Sequence, residues 1–148
     1  MAESADLDGA ARILVATDFS EASRQGVLEG ARLSRALGVG VLLVHAVEDR
    51  LPPLIDAETR RQVLDQHRGR ADGVLHQWAA ELCGGLEVEV GVEQGDPAHV
   101  IRELAERYSV QMIVVTSRGH SALGGMLLGS TTDRLVRHAP CPVLVVPA

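Results

Sequence analysis

The 148-residue sequence predicts an α/β fold: one doubly wound, Rossmann-like domain with a five-stranded parallel sheet and helices on both faces. Short apolar runs of strand length alternate with longer segments of helical period, in the order β-α-β-α-β-α-β-α-β. The connections are short, as is typical of parallel strands joined by crossover helices. We expect the strand order 3-2-1-4-5, a single domain over residues 1–148, and a flexible segment over residues 1–11.

The first strand, helix and second strand are predicted within residues 12–46. Residues 12–17 (RILVAT) form an apolar run typical of a buried strand. Ser20 and Ser23 are candidate N-caps for a helix that continues to Leu37. Residues 38–46 then give the second strand.

The middle of the chain predicts a connector, a long helix and an edge strand. Residues 49–56 contain consecutive prolines, which favour an extended connector. Residues 57–83 carry an apolar stripe at helical spacing, and Gly69 and Gly73 allow a bend there. Residues 86–92 (LEVEVGV) alternate between apolar and polar, a pattern typical of a half-exposed strand at a sheet edge.

The last third predicts two helices and two strands. Asp96 as N-cap and Pro97 in the first helical position indicate a helix over residues 95–108. Residues 110–117 are continuously apolar, as in a strand buried on both faces. A short helix over residues 130–139 precedes the fifth strand near the end of the chain.

Composition narrows the class of function. The net charge is −6 and no basic cluster occurs, which argues against a nucleic-acid partner. The longest apolar runs are shorter than the ~20 residues of a membrane helix, and the acidic start is unlike a signal peptide. Cys83 and Cys141 do not form the framework of a secreted disulfide protein. We therefore expect a cytoplasmic protein with no membrane partner.

The reactive side chains indicate binding more than catalysis. All fourteen basic residues other than histidine are arginine, so Schiff-base chemistry and a phosphate-loop lysine are absent. The six histidines lack the spacing of metal ligands, and no GxSxG motif occurs. His45, at the end of an apolar strand, is expected to be a hydrogen-bonded core residue. The sequence predicts no catalytic residue and no metal held by side chains.

A glycine-rich run, TSRGHSALGGMLLGST, occupies residues 116–131 between a strand and a helix. Gly129 would let a phosphate approach the backbone. The first N–H groups of the helix and the hydroxyls of Ser130 and Thr131 would then face the anion. The alternative is that Ser130 is only an N-cap, with Asp133 three residues later as in a capping box. Both interpretations remain open at this point.

Polar residues follow the first and fourth strands where each one ends. If these strands are neighbours, the winding direction reverses between residues 16–18 and 116–119, which is where such sheets bind ligands. Asp18 is either a turn residue or an acceptor for a base amino group or ligand hydroxyl. Arg118 and His120 either contact a phosphate or lie in water.

Three separated segments resemble the universal stress protein family: residues 13–23 (ILVATDFSEAS), residues 95–119 and residues 127–147. The resemblance extends from Arg12 to Pro147 and is weakest over residues 50–85. ATP-binding members of that family carry a glycine, two residues, a second glycine, nine residues, and then Gly followed by Ser or Thr.

The last part of this family motif matches directly, because Gly119, Gly129 and Ser130 stand at the family spacing. Thr116 occupies the place of the first glycine. Its Cβ would crowd a triphosphate, or its hydroxyl would donate a hydrogen bond to it. The resemblance implies further binding residues near the ends of the first two strands. The full set of predicted nucleotide-binding residues is Ala16, Thr17, Asp18, Ala46, Thr116, Arg118, Gly119, His120, Gly129, Ser130 and Thr131.

The resemblance also implies a ligand and a partner. The ligand would be ATP, or AMP or ADP, with Mg²⁺ or Mn²⁺ held through the phosphates, and Asp18 and the backbone near Ala46 would hold the adenine and ribose. The partner would be a second copy, paired through the last strand at Val143–Val146. We expect a dimeric ATP-binding sensor or regulator of the stress response, with an unidentified regulatory protein as its reader. The alternatives are a nucleotide-independent dimeric adaptor and a slow metal-assisted ATPase.

Overall fold

The computed structural model describes residues 10–117 and 128–148, in which strands and helices alternate. The segment predicted to be flexible, residues 1–11, falls largely outside this part of the chain. The elements are β1 (Arg12–Ala16), α1 (Glu21–Leu37), β2 (Gly40–Val47), α2 (Ala57–Leu82), β3 (Val88–Gln94), α3 (Pro97–Arg107), β4 (Ile113–Thr116), α4 (Ser130–His138) and β5 (Val143–Val146).

The five strands form one parallel sheet in the order β3-β2-β1-β4-β5. β1 is the central strand, and its Leu14 lies opposite both Leu42 of β2 and Ile113 of β4. The chain winds outward from β1 to β3 in one direction and from β4 to β5 in the other. The predicted α/β fold and strand order are therefore confirmed, and the winding reverses between β1 and β4.

Both faces of the sheet are covered by helices, because the central strands are apolar on both sides. Ile13 and Val15 pack into a core under α1 and α2. Leu14 points to the other face, where it joins a second core that includes Ile101 of α3 and Leu135 of α4. None of the helices in the described ranges is long and apolar enough to cross a membrane.

Several element boundaries differ from the predicted ones by one to three residues, and the largest difference is at β4, which begins at Ile113 instead of at residue 110. The long helix and β3 also depart from the prediction. The bend allowed at Gly69 and Gly73 does not interrupt α2, because both glycines lie on its exposed side with open space around them. β3 begins two residues later than expected. Gly85 adopts a φ of 80°, and the Leu86 N–H donates to the Cys83 carbonyl at 3.1 Å, so a turn takes up the start of the predicted strand.

Two glycines let α1 lie close against the centre of the sheet. A Cβ added at Gly30 would lie 2.5 Å from a methyl group of Val15. A Cβ added at Gly26 would overlap the hydroxyl of Thr116 at the end of β4. Larger residues at either position would push the helix away from the strands that carry the cleft described below.

Candidate functional site

A cleft of about 690 Å³ opens at the carboxyl end of the sheet, where β1 and β4 separate. It is bounded by the ends of β1, β2 and β4, the first turns of α1, α3 and α4, and one side of α2. The predicted site residues that line it are Ala16, Thr17, Asp18, Ala46, Thr116, Gly129, Ser130 and Thr131. The other three, Arg118, Gly119 and His120, lie outside the described residues.

Thr17 holds the turn between β1 and α1. Its hydroxyl lies 2.7 Å from that of Ser23, which itself donates to the Ser20 carbonyl, so Thr17 donates and Ser23 accepts. The same Thr17 oxygen accepts the Phe19 N–H at 2.9 Å. The Thr17 N–H donates to the Val44 carbonyl at 3.0 Å. The hydroxyl and the N–H of Thr17 are therefore both used in hydrogen bonds that hold the cleft together.

Asp18 is exposed and has the turn role considered for it. Its Oδ1 accepts the Ser20 N–H at 3.0 Å, and Ser20 in turn caps α1 by accepting the Ser23 N–H at 3.1 Å. Ser20, and not Ser23, is thus the N-cap. The carboxylate of Asp18 lines the cleft from this turn.

An aromatic wall that the sequence did not predict borders the cleft. Phe19 adopts a φ of 65°, which is unusual for a bulky residue, and its ring lies 4.3 Å from the His45 ring. Trp78 meets Phe19 edge-on at 5.7 Å. The His45 Nδ1 lies 2.8 Å from the Thr17 carbonyl, which can only accept, so Nδ1 carries a proton. His45 is hydrogen-bonded as predicted, but it is half-buried and faces the cleft.

The side chain of Thr116 is directed toward α1. Along β4, Ile113 packs toward α3 and α4 and Val114 toward α1, and Thr116 continues this alternation. Its Oγ1 lies buried against Gly26 and has no hydrogen-bond partner within the described ranges. Its carbonyl accepts from the Thr132 hydroxyl at 3.3 Å. This single threonine therefore joins β4 to helices on both faces.

α4 begins without a side-chain cap. Gly129 is the N-cap, with extended backbone at φ −60° and ψ 158°, and Ser130 is already helical. The interpretation of Ser130 as N-cap is therefore wrong, because a capping residue needs extended backbone. Asp133 does not cap either: it pairs with Arg137 at 3.2 Å. The positive end of the helix dipole and two hydroxyl residues thus border the cleft.

An ion pair crosses one side of the cleft. The Asp96 Oδ2 caps α3 by accepting the His99 N–H at 3.1 Å, and the same carboxylate binds both Nη atoms of Arg134 at 2.9 Å. The Arg134 hydrogen bond holds the pKa of Asp96 below its usual range, and Asp96 raises the pKa of Arg134. From the sequence, Asp96 is predicted only as a cap, because nothing in the local pattern links it to a residue on another helix.

The opposite side of the cleft is formed by α2 and the end of β2. His67 and Arg70 of α2 line it, and Arg50 pairs there with Glu48 at 3.1 Å. Among the described residues no group of three or more His, Cys, Asp or Glu side chains could hold a metal ion.

The architecture defines a doubly wound α/β protein with an open cleft at the topological switch point, where sheets of this kind bind ligands. Residues 10–147 match the universal stress protein family, and the chain belongs to that family. It is 32% identical over 134 residues to a universal stress protein of Thermus aquaticus, covering 90% of this chain and 96% of that one.

Solved structures show the same fold. The hypothetical protein MJ0577 superposes with a TM-score of 0.81 at 26% identity, covering 94% of this chain and 96% of that one. A universal stress protein solved in complex with cAMP gives 0.69 at 21% identity, with 93% and 97% covered. The Archaeoglobus fulgidus protein in complex with dAMP gives 0.61 at 20%, with 92% and 97% covered.

Proposed function

We propose that this protein binds an adenine nucleotide, ATP in the first instance, in the cleft between β1 and β4 and acts as a stress-response regulator. The observation that carries the proposal is the uncapped start of α4, which borders a cleft of about 690 Å³. Pockets for small ligands and cofactors range from roughly 300 to 1,000 Å³. Family members of the same fold that are solved with cAMP and dAMP support the choice of an adenine nucleotide.

The phosphates would lie at the start of α4. Gly129 has no side chain to obstruct them, and the N–H groups of the first helical turn have no side-chain acceptor at the N-cap. The hydroxyls of Ser130 and Thr131 add donors at the same place. Backbone amide groups without an N-cap acceptor, together with the helix dipole, are how helix N-termini bind phosphate. Mg²⁺ or Mn²⁺ would be held through the phosphates, with Arg118, Gly119 and His120 as further candidate contacts.

The base and ribose would lie at the ends of β1 and β2. Ala16 and Ala46 are small and leave room there, and Ile101 and Val115 give an apolar floor from the face covered by α3. Asp18 would accept a hydrogen bond from the amino group of the base or from a ribose hydroxyl. A cofactor site typically combines such an apolar surface with polar groups that fix the orientation of the ligand.

Thr116 is compatible with this position of the ligand. Its side chain packs against Gly26, so the chain at the end of β4 presents its backbone toward the cleft. The threonine side chain, which stands where the family has a glycine, would then be accommodated on the side of α1. This departure from the family motif is the observation that favours the second candidate function, a nucleotide-independent adaptor.

The regulatory form would be a cytoplasmic homodimer paired through β5. Leu144 is exposed on this edge strand, and Val143 and Val145 are half-exposed. Pairing with a second copy would cover an edge that otherwise favours aggregation. Because the chain has no lysine to stabilise transferring phosphoryl charge, hydrolysis would be slow, and binding itself would be the signal to a regulatory protein.

Calorimetry and thermal unfolding with Mg-ATP and with AMP test the proposal. A ligand at 100 times its dissociation constant should raise the free energy of unfolding by roughly 2.7 kcal/mol. Gly129→Val should abolish ATP binding and leave the circular dichroism unchanged. Gly69→Val is the matched control, because Gly69 lies in open space on α2.

Two results would contradict the proposal. Absence of any response to millimolar ATP and AMP would favour the adaptor. Full affinity in the Gly129→Val variant would mean that the phosphates do not lie at the start of α4.

A further inference from the structure

The ion pair between Asp96 and Arg134 connects two helices at the mouth of the cleft. Both Nη atoms of Arg134 contact the carboxylate at 2.9 Å, in a bidentate arrangement. The Arg134 side chain remains 53% exposed and that of Asp96 47%, so water and solutes reach both of them. Asp96 is held in place by a second bond, from the His99 N–H, whereas no other partner holds Arg134 within the described ranges.

Arg134 lies on the side of α4 that borders the proposed phosphate site. It follows Ser130 by four residues and Thr131 by three, which places all three on one face of the helix. One turn of helix separates it from Ser130, about 6 Å along the axis. A flexible guanidinium at this distance can contact the outer phosphates of a nucleotide bound at the helix start.

The arginines that line the cleft differ in how they are paired. Arg134 is neutralised by Asp96, and Arg50 by Glu48. Arg70, on the opposite side, has no carboxylate partner among the described residues. Among the described arginines that line the cleft, the one carried by α4 itself is therefore already paired with an acidic side chain.

We propose that Asp96 competes with the ligand for Arg134, and that this competition sets the preference of the site between nucleotides of different phosphate number. The inference rests on the proposed nucleotide binding and assigns a specificity-determining pair within that site. Because an exposed ion pair is weak, a polyphosphate that reaches Arg134 can displace Asp96, whereas a monophosphate at the helix start leaves the pair intact. Asp96 thereby lowers the affinity for triphosphates selectively.

Calorimetric titration with AMP and Mg-ATP, on five proteins, tests this: wild type, Asp96→Asn, Arg134→Gln, the double variant and Arg70→Gln. Asparagine caps a helix as well as aspartate does, so Asp96→Asn removes the charge and keeps α3 capped. We expect it to tighten ATP binding roughly tenfold and AMP binding less than about twofold. Arg134→Gln should weaken ATP binding, and adding Asp96→Asn to it should have no further effect. Arg70→Gln tests whether the outer phosphates lie on the opposite side of the cleft, and it should leave the ratio of ATP affinity to AMP affinity unchanged.

Each other outcome identifies a different error. If the wild type binds neither nucleotide, the proposed function fails and the inference fails with it. If it binds both and Asp96→Asn leaves their ratio unchanged, only the inference is overturned. A fall in the ratio in Arg70→Gln would place the outer phosphates against α2 and would also overturn it. Should Asp96→Asn fold poorly, Asp96→Ser provides a second neutral cap for the same comparison.

Discussion

α3 and α4 both begin at the cleft, yet their first turns are built in opposite ways. α3 starts with Asp96, which accepts the His99 N–H, and continues with a proline in its first turn. α4 starts with Gly129, which has no side chain to offer. Two helix starts that face the same space thus differ in whether the N-cap side chain accepts an N–H of the first turn.

The remaining described helices follow the pattern of α3. Ser20 caps α1 and Asp56 caps α2, each by accepting the N–H three residues later. Glycine is itself a tolerated N-cap, and a side-chain cap in its place adds only a few tenths of a kcal/mol. α4 therefore gives up a little local stability at the helix start where the proposed ligand would supply the missing acceptor.

The largest effect is expected from converting the start of α4 to the type found in α3. Gly129→Asp would supply a carboxylate that accepts the first-turn N–H groups and repels phosphate. We expect at least about a hundredfold loss of ATP affinity by calorimetry, or roughly 2.7 kcal/mol. The free energy of unfolding should stay the same or rise by a few tenths of a kcal/mol in urea denaturation.

Gly129→Asn is the control for this variant, since it provides a neutral cap. It should weaken ATP binding less, by about tenfold, because it occupies the amide groups without the repulsion. Unchanged ATP affinity in both variants would contradict this interpretation of the two helix starts, since the open start of α4 would then have no connection with the ligand.

A change in stability of intermediate size is expected at the contact between α1 and β4. Gly26→Ala should lower the free energy of unfolding by about 1–2 kcal/mol, because the new methyl group overlaps the Thr116 hydroxyl. In a Thr116→Ala background the same change should raise it by up to about 1 kcal/mol, because alanine favours a helix more than glycine does. Chemical denaturation of the four proteins measures this coupling.

Gly69→Ala serves as the reference for this pair, because its methyl group would meet open space. It should be stabilising in either background. Additive effects of Gly26→Ala and Thr116→Ala would mean that the contact between α1 and β4 does not constrain residue 116.

The smallest effect is expected at α2, whose capped start lies away from the cleft. The hydrogen bond from the Thr59 N–H holds the pKa of Asp56 below 3.8. Its stabilising contribution is therefore complete above the unfolded-state pKa and is lost as the pH falls through the lower, folded-state value. Asp56→Ala should reduce stability at neutral pH, and its difference from wild type should shrink below about pH 4.

Asp56→Asn is the matched variant, because asparagine caps without titrating in this range. Its difference from Asp56→Ala, measured by urea denaturation from pH 3 to pH 7, should not depend on pH. A pH-dependent difference would show that groups other than this carboxylate govern the loss of stability at low pH. ATP affinity should be unchanged in both variants.

The fold could be predicted from the sequence because its determinants are local. Continuous apolar runs such as residues 12–17 and 110–117 indicate strands buried on both faces, and the pair Asp96–Pro97 indicates a helix start. Right-handed crossovers and short connections restrict the possible strand orders but do not by themselves select 3-2-1-4-5. The boundary of β3 was missed by two residues because a positive φ at Gly85 leaves no periodic signal.

The candidate site could be predicted only in outline. The strand ends could be located, since polar residues follow apolar runs at Asp18 and Thr116. The direction of the Thr116 side chain could not, because it depends on a glycine in α1 that is distant in the sequence. The bond between Asp96 and Arg134 could not be predicted for the same reason, because two residues on different helices meet only once the sheet is assembled.

The central position of β1 has a consequence for how the chain folds. β1 pairs with β2, which follows it closely, but its other neighbour, β4, comes far later in the chain: Leu14 lies opposite Ile113. During synthesis, the β1–β3 half of the sheet can therefore assemble before the β4–β5 half exists. The cleft lies where these two halves meet. It is therefore completed only when the last third of the chain has packed against the first half of the sheet. A ligand bound there would stabilise the whole sheet rather than either half alone.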